Sequence, residues 1–182
     1  KSMNNLCFGQ RIDPQLGILQ AWYTHGALDR ICRMDVSDKV VCEYGAGHST
    51  VWWSKKAKQV YAVDHSKEWA NNINKIIGSE VVKYVDTNEG NTLTRTEYVN
   101  AFDGVVSDIV IVDGIHRYEC AEHAVKVLKP EILIIDNHQQ DYVFICPALD
   151  ELLKDYRMER YVQQDHKDHN GRPWATAIFF LR

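Results

Sequence analysis

Apolar residues along this chain fall into short unbroken runs, separated by stretches in which they recur every third or fourth position. The runs Lys39–Glu43, Gln59–Asp64, Val81–Val85, Asp108–Asp113 and Ile132–Ile135 read as buried strands, the fourth β-branched throughout and bracketed by acids. Between them, Ser49–Lys58, Trp69–Ile77, Thr94–Phe102 and Cys120–Leu128 read as helices, with Gly78 closing the second and Pro130 following the last. Pro147–Tyr156 adds a helix that starts on proline. Arg160–Gln163 and Thr176–Leu181 then read as two strands joined by the polar loop Gln164–Trp174. Ahead of all these, residues 4–12 show no periodicity. From Pro14 to Met34, Leu16, Leu19, Ala21, Trp22, Leu28, Ile31 and Cys32 recur at roughly helical spacing, with Gly26 a point of kinking or splitting. Trp22, Tyr23 and His25 either line a pocket from a helical lid or form the packing face of a covering helix.

Five strands alternating with helices predict a parallel sheet covered on both faces, a three-layer α/β/α sandwich. The closing pair, with no helix between its strands, predicts an antiparallel hairpin at or near one edge, for seven strands in all. The whole chain then forms one domain, with residues 1–36 as a helical cover and 37–182 as the core.

Composition narrows the function classes. The 182 residues suffice for one domain with a substantial core, and 45% apolar with 25% charged content is ordinary for a globular protein. A net charge of −4 without a basic block argues against nucleic acid as the partner. No apolar run approaches the roughly 18 residues of a membrane span. The five cysteines are scattered, without a paired C-x-x-C spacing, as expected of small buried hydrophobes in a reducing compartment. The expected setting is therefore the cytoplasm, as a monomer or dimer.

The candidate chemistry gathers where strands end. Glu43-Tyr-Gly-Ala-Gly-His-Ser-Thr50 carries the first strand into a glycine turn and a helix start, a combination suited to ligand binding in open α/β sheets. Glu43, Asp64, Asp86, Asp113, Asp136 and Asn137 all fall at strand ends, which a parallel sheet places along one rim. An acid after the second strand suits a ribose, whose hydroxyls a carboxylate can accept. The dinucleotide fingerprint needs a third glycine where this chain has Thr50, and a phosphate loop needs a Gly-Lys-Ser/Thr that is absent. Glu43 adds negative charge near the turn, which favours a cationic ligand over a pyrophosphate.

On these residues, from Lys39 to Arg182, the chain resembles the class I S-adenosylmethionine-dependent methyltransferases. The resemblance implies a Rossmann-like fold and a cofactor set of Glu43, Tyr44, Gly45, Ala46, Gly47, Ser49, Thr50, Asp64, His65, Asp86 and Asp113. In that family the first motif cradles the methionine part, the second-strand acid binds the ribose, and residues such as Asp86 flank the adenine. A narrower likeness links Asp113-Gly-Ile-His-Arg-Tyr118 and Ile135-Asp-Asn137 to the catechol and caffeoyl-coenzyme-A O-methyltransferases. It implies a divalent cation, Mg²⁺ or another, on Asp113, Asp136 and Asn137, activating a hydroxyl of a small-molecule acceptor.

Two departures leave metal use open. His116 stands where that family often has a lysine base, and a histidine can take a proton directly. Pro130-Glu-Ile132 replaces the usual Pro-Gly-Gly turn. The expected catalytic residues are His116 as base, with Asp113 either orienting the acceptor or holding metal. Plainer readings stand beside these: Asp136-Asn137 as a turn cap, His116 as a solvated helix-start residue, and 165–172 as a solvated loop that could overhang the acceptor. His138, His166 and His169 have no recognisable ligand spacing. Two other functions remain, a non-catalytic domain that binds the same cofactor for regulation and a nicotinamide-dependent Rossmann enzyme.

Overall fold

The computed structural model describes residues 10–87, 91–139, 145–168 and 170–182. Seven strands form one sheet: β1 (Val40–Tyr44), β2 (Gln59–Asp64), β3 (Val82–Tyr84), β4 (Ile109–Val112), β5 (Ile132–Ile135), β6 (Arg157–Lys167) and β7 (Pro173–Phe180). Their order is β3-β2-β1-β4-β5-β7-β6, parallel from β3 to β5, with β7 antiparallel to both β5 and β6. The three-layer sandwich and its closing hairpin are as the strand–helix alternation predicts.

Strand alternation sorts the layers. Val41, Ile109, Ile111, Ile134 and Ile178 face α1 (His25–Cys32) and α2 (His48–Lys56), through Ala27, Leu28, Ile31, Trp52 and Trp53. Beside them α3 (Lys67–Ile77) packs Ala70 and Ile73 on Ala62 and Val82. The opposite face carries Cys42, Tyr44, Val110, Val112, Leu133 and Ile135 against α4 (Thr92–Val99), α5 (Arg117–His123) and α6 (Ile145–Leu152). A π-helical turn, Ala124–Leu128, continues α5. Among the described residues no helix is long and apolar enough to cross a membrane.

The N-terminal segment departs from expectation. The helix predicted from Pro14 is confined to His25–Cys32, and residues 12–19 form a small closed turn with an Ile12–Leu19 bridge. Asp13 competes for the backbone: its carboxylate accepts the amides of Gln15 and Leu16, while Gly17 turns the chain at φ 66°. The same carboxylate accepts Trp52 Nε1 at 2.8 Å and lies 3.3 Å from Lys56 Nζ, which pins the turn to α2. Burial opposes its charge, but these donors and Lys56 hold the Asp13 carboxyl below the ordinary range. Gly26 does not kink a long helix. It opens the short one, where a Cβ would lie 2.7 Å from the Tyr161 ring.

The hairpin is also longer than expected. Most of the predicted loop 164–174 is strand, with a register shift between Gln163 and Lys167. The helix expected from Pro147 begins at Ile145 and ends at Leu152. Most of the irregular entry at 4–12, part of the loop after Asp136, and His169 lie outside the described residues.

Candidate functional site

A cavity of about 360 Å³ opens above the C-terminal ends of β1, β2 and β4. The glycine turn makes its floor. Gly45 takes φ 91°, and a Cβ there would lie 2.7 Å from the Gly114 backbone, so the turns after β1 and β4 meet backbone to backbone. Gly47 differs. Its backbone is extended, and a Cβ would meet only Ser49 Oγ at 3.8 Å, so the missing side chain leaves open space in the cavity.

Asp64 stands at the end of β2 on the cavity wall, nearly buried. One carboxylate oxygen accepts Ala46 N at 2.9 Å and the other Ser66 N at 2.7 Å, so one acid braces the glycine turn and the start of α3. Trp69 closes the wall above, its indole donating to Ala46 O at 2.5 Å and meeting His48 edge to face. His65, Ser49, Asp113 and Gly114 line the remainder, with Trp22 arriving from the N-terminal segment. Trp22 contacts His166 and Trp174 at ring separations of 5.9 Å, so the N-terminal segment and the hairpin meet beside the cavity.

Four expected cofactor residues sit elsewhere. Glu43 and Thr50 are fully buried below the turn, where the Glu43 carboxyl accepts hydrogen bonds from Ser49 Oγ and, at 2.5 Å, from Thr50 Oγ1. Burial pushes the Glu43 carboxyl up to about 8 against those two donors, so it does not offer the cavity the negative charge expected of it. Thr50 in turn accepts Gly47 N at 2.9 Å. Tyr44 points to the opposite face of the sheet, donating to Val99 O at 2.6 Å and packing on Tyr98 and Phe102. Alternation within β1 requires this, since residues 43 and 44 cannot share a face. Asp86 is exposed and outside the cavity lining.

At the ends of β4 and β5, the residues expected to hold metal surround a cation of the protein's own. Arg117 Nη2 lies 3.2 Å from Asp113 Oδ1 and 3.5 Å from Asn137 Oδ1. Its Nη1 donates to Asp136 O at 2.5 Å and its Nε to Gly114 O at 3.0 Å. The Asp136 carboxylate turns inward, accepting Thr176 Oγ1 at 2.6 Å and Trp174 Nε1 at 3.3 Å. Asp113, Asp136 and Asn137 therefore do not fit a shared divalent cation. Among the described residues no group of three or more His, Cys, Asp and Glu could hold one either. Burial raises both carboxyls above the ordinary range, with Arg117 opposing it at Asp113 and the neighbouring Asp113 adding to it at Asp136. His116, the residue before α5, takes φ 51° beside the Tyr98 ring. Burial lowers its pKa, and Arg95 and the cavity residue His65 add to that while Glu119 opposes it. It is not itself part of the cavity lining.

Solved structures that share this architecture include proteins named as methyltransferases or methylases and one named as a precorrin 8W decarboxylase. A methyltransferase-like protein from Silicibacter pomeroyi superposes with a TM-score of 0.59 at 19% identity, covering 86% of this chain and 87% of its own. An rRNA methylase from Streptococcus thermophilus gives 0.56 at 14%, covering 87% and 96%. The magnesium protoporphyrin IX methyltransferase of Synechocystis, solved with bound S-adenosylhomocysteine, gives 0.58 at 10%, covering 85% and 78%. The chain shares their fold. No sequence-family profile and no curated protein matches it.

Sequence reasoning assigned no role to Trp69, His48, Gly114 or Arg117. Arg117 lies inside the Asp113–Tyr118 motif, four residues after the acid, and that spacing on a helix start was the available signal. Trp69 follows the second-strand acid by five residues; nothing in its local pattern marks it as a cavity wall.

Proposed function

We propose that this protein is an S-adenosylmethionine-dependent methyltransferase acting on a hydroxyl of a small molecule. The observation that carries the reading is the cavity over the Gly45–Gly47 turn, with Asp64 on one wall and Asp113 on the other. Open space above Gly47 fits the methionine part, and the Asp64 carboxylate has lone pairs left for ribose hydroxyls after bracing two amides. The Trp69 and His48 rings supply apolar wall for the remainder. The three solved neighbours support the cofactor through their names and, in one case, bound S-adenosylhomocysteine.

The Gly45–Gly47 turn and Asp64 would hold S-adenosylmethionine there, and when bound it would supply an electrophilic methyl group with S-adenosylhomocysteine as the leaving group. The chain's own part is to place an acceptor hydroxyl in line and to take its proton. His116 is the proposed base, because it stands on the turn after β4, three residues beyond the cavity residue Asp113, with its imidazole held toward the neutral form by burial. Asp113, on the cavity wall and tied to Arg117, orients the acceptor hydroxyl. No step passes through a metal. A small acceptor rather than a nucleic acid suits the net charge of −4, which no basic block offsets.

Comparative thermal unfolding tests the cofactor. S-adenosylhomocysteine should raise the melting temperature and NAD should not, since a ligand of the folded state alone stabilises it. The reverse result would favour the nicotinamide reading. His116→Ala should leave S-adenosylhomocysteine affinity intact while lowering turnover roughly 10²- to 10⁴-fold, the usual worth of a general base. Undiminished turnover would remove His116 from the mechanism.

A further inference from the structure

The ends of β4 and β5 are built as a cation site in which the cation is covalently part of the chain. The likeness to catechol-type enzymes implies oxygen donors at residues 113, 136 and 137 converging on a divalent ion. Here three of the four groups around the Arg117 guanidinium come from those residues: Asp113 Oδ1, Asn137 Oδ1 and the Asp136 carbonyl. The fourth is the Gly114 carbonyl. A planar fork of five N–H donors satisfies such a ring of acceptors, and a spherical ion of about 2.1 Å bond length would need the same volume. The guanidinium has little access to solvent, with the Arg117 side chain 15% exposed. The Asp136 carboxylate, which the likeness assigns to the ion, is turned to Thr176 and Trp174 instead, so residue 136 enters the ring through its carbonyl.

The backbone has been shaped around this arrangement. His116 and Asn137 both hold left-handed conformations, at φ 51° and 54°; the first precedes Arg117 in the chain and the second reaches its guanidinium through Oδ1. Non-glycine residues in that region cost on the order of 1–3 kcal/mol each unless the surroundings fix them. Hydrogen bonds from Arg117 to the Gly114 and Asp136 carbonyls and the Asn137 side chain, all within two residues of these positions, supply that fixing.

We infer that Arg117 takes the place of a divalent cation at this site, holding Asp113 against the cavity so that an acceptor is bound through a single hydroxyl rather than by chelation through two adjacent oxygens. The inference rests on the methyltransferase reading for its mention of an acceptor, but not for the cation site itself. Arg117 is on this account a positioning residue, acting through Asp113. A divalent ion held by three protein oxygens keeps further coordination positions open, which two adjacent oxygens of one ligand can fill. A guanidinium offers no coordination position, and four of the five N–H donors of Arg117 are engaged by the protein.

Mn²⁺ titration of the purified protein, followed by the electron paramagnetic resonance of the free ion, tests this with S-adenosylhomocysteine present. The wild type should bind no Mn²⁺, and catechol with Mg²⁺ should leave its melting temperature unchanged. Arg117→Ala exposes the acceptor ring without its cation, so Mn²⁺ should raise the melting temperature of that variant while leaving the wild type unmoved. Arg117→Lys should stay unresponsive, because it keeps the charge in place. One Mn²⁺ bound per wild-type chain and lost in Asp113→Asn would overturn the inference, as would a catechol response that depends on Mg²⁺. The wild-type titration needs no variant to fold. Failure of S-adenosylhomocysteine to stabilise the protein would count against the methyltransferase reading alone, since the Mn²⁺ result is read independently of it.

Discussion

The two sides of the cavity are organised by different physics. On the β1–β2 side the wall is set by backbone geometry and by hydrogen bonds to uncharged groups: Gly45 against Gly114, Asp64 accepting two amides, and Glu43 capped by two hydroxyls. On the β4–β5 side a guanidinium gathers two turns and two carboxyl-bearing residues around itself. The first side presents a fixed surface with open space over it, suited to one ligand. The second concentrates charge and left-handed backbone, suited to positioning a reacting group. The contrast sets where each side is vulnerable: the β1–β2 wall at its two glycines and Asp64, the β4–β5 wall at one arginine.

That contrast can be broken most severely at Gly45. Gly45→Ala must adopt φ 91° and drive a methyl group to 2.7 Å from the Gly114 backbone. Strain alone is about 1–3 kcal/mol, so the melting temperature should fall by roughly 2–12 °C, and a fall of under a degree would show that the two turns are not locked together. Gly47→Ala sharpens the point. Its backbone is already extended and its Cβ finds open space, so stability should hold while S-adenosylhomocysteine affinity drops by roughly tenfold, about 1–2 kcal/mol of intrusion into the cavity. Equal affinity would mean that the cofactor does not pass over Gly47.

The smallest effect lies beneath the turn. The folded pKa of Glu43, about 8, is above its ordinary 4.5, so the folded chain keeps a proton that the unfolded chain releases between those values. Its contribution to stability is fully present below pH 4.5 and is lost as pH rises through about 8. Glu43→Gln, which carries no titrating group, should therefore flatten the pH dependence of the melting temperature between pH 5 and pH 8. An unchanged slope would show that Glu43 is ionised in the folded protein.

Most of the architecture was legible because periodicity reports burial directly. The Asp108–Asp113 run could only be a central strand, and a strand pair with no intervening helix could only be a hairpin. What misled was local competition that periodicity does not register. Leu16, Leu19 and Trp22 keep helical spacing, yet Asp13 and Gly17 capture that backbone in a turn. Within the site, Gly45, Gly47, Asp64 and Asp113 were identifiable from their places at strand ends. Tyr44 was separable from them in principle, since β1 alternation sends it to the face opposite Glu43. The burial of Glu43 was not, because it depends on Ser49 and Thr50 folding back across the turn. Nor was the role of Arg117, which requires β4 and β5 to lie side by side before Asp113 and Asn137 can share one partner.

The cofactor assignment reduces to whether Asp64 touches the ligand as well as the turn. Calorimetric titration of S-adenosylhomocysteine into the wild type and Asp64→Ala measures this directly. The account predicts one site per chain in the wild type, weakened roughly 10- to 100-fold in the variant, the worth of hydrogen bonds to a charged group. No heat of binding in the wild type, or equal affinity in both proteins, would contradict it.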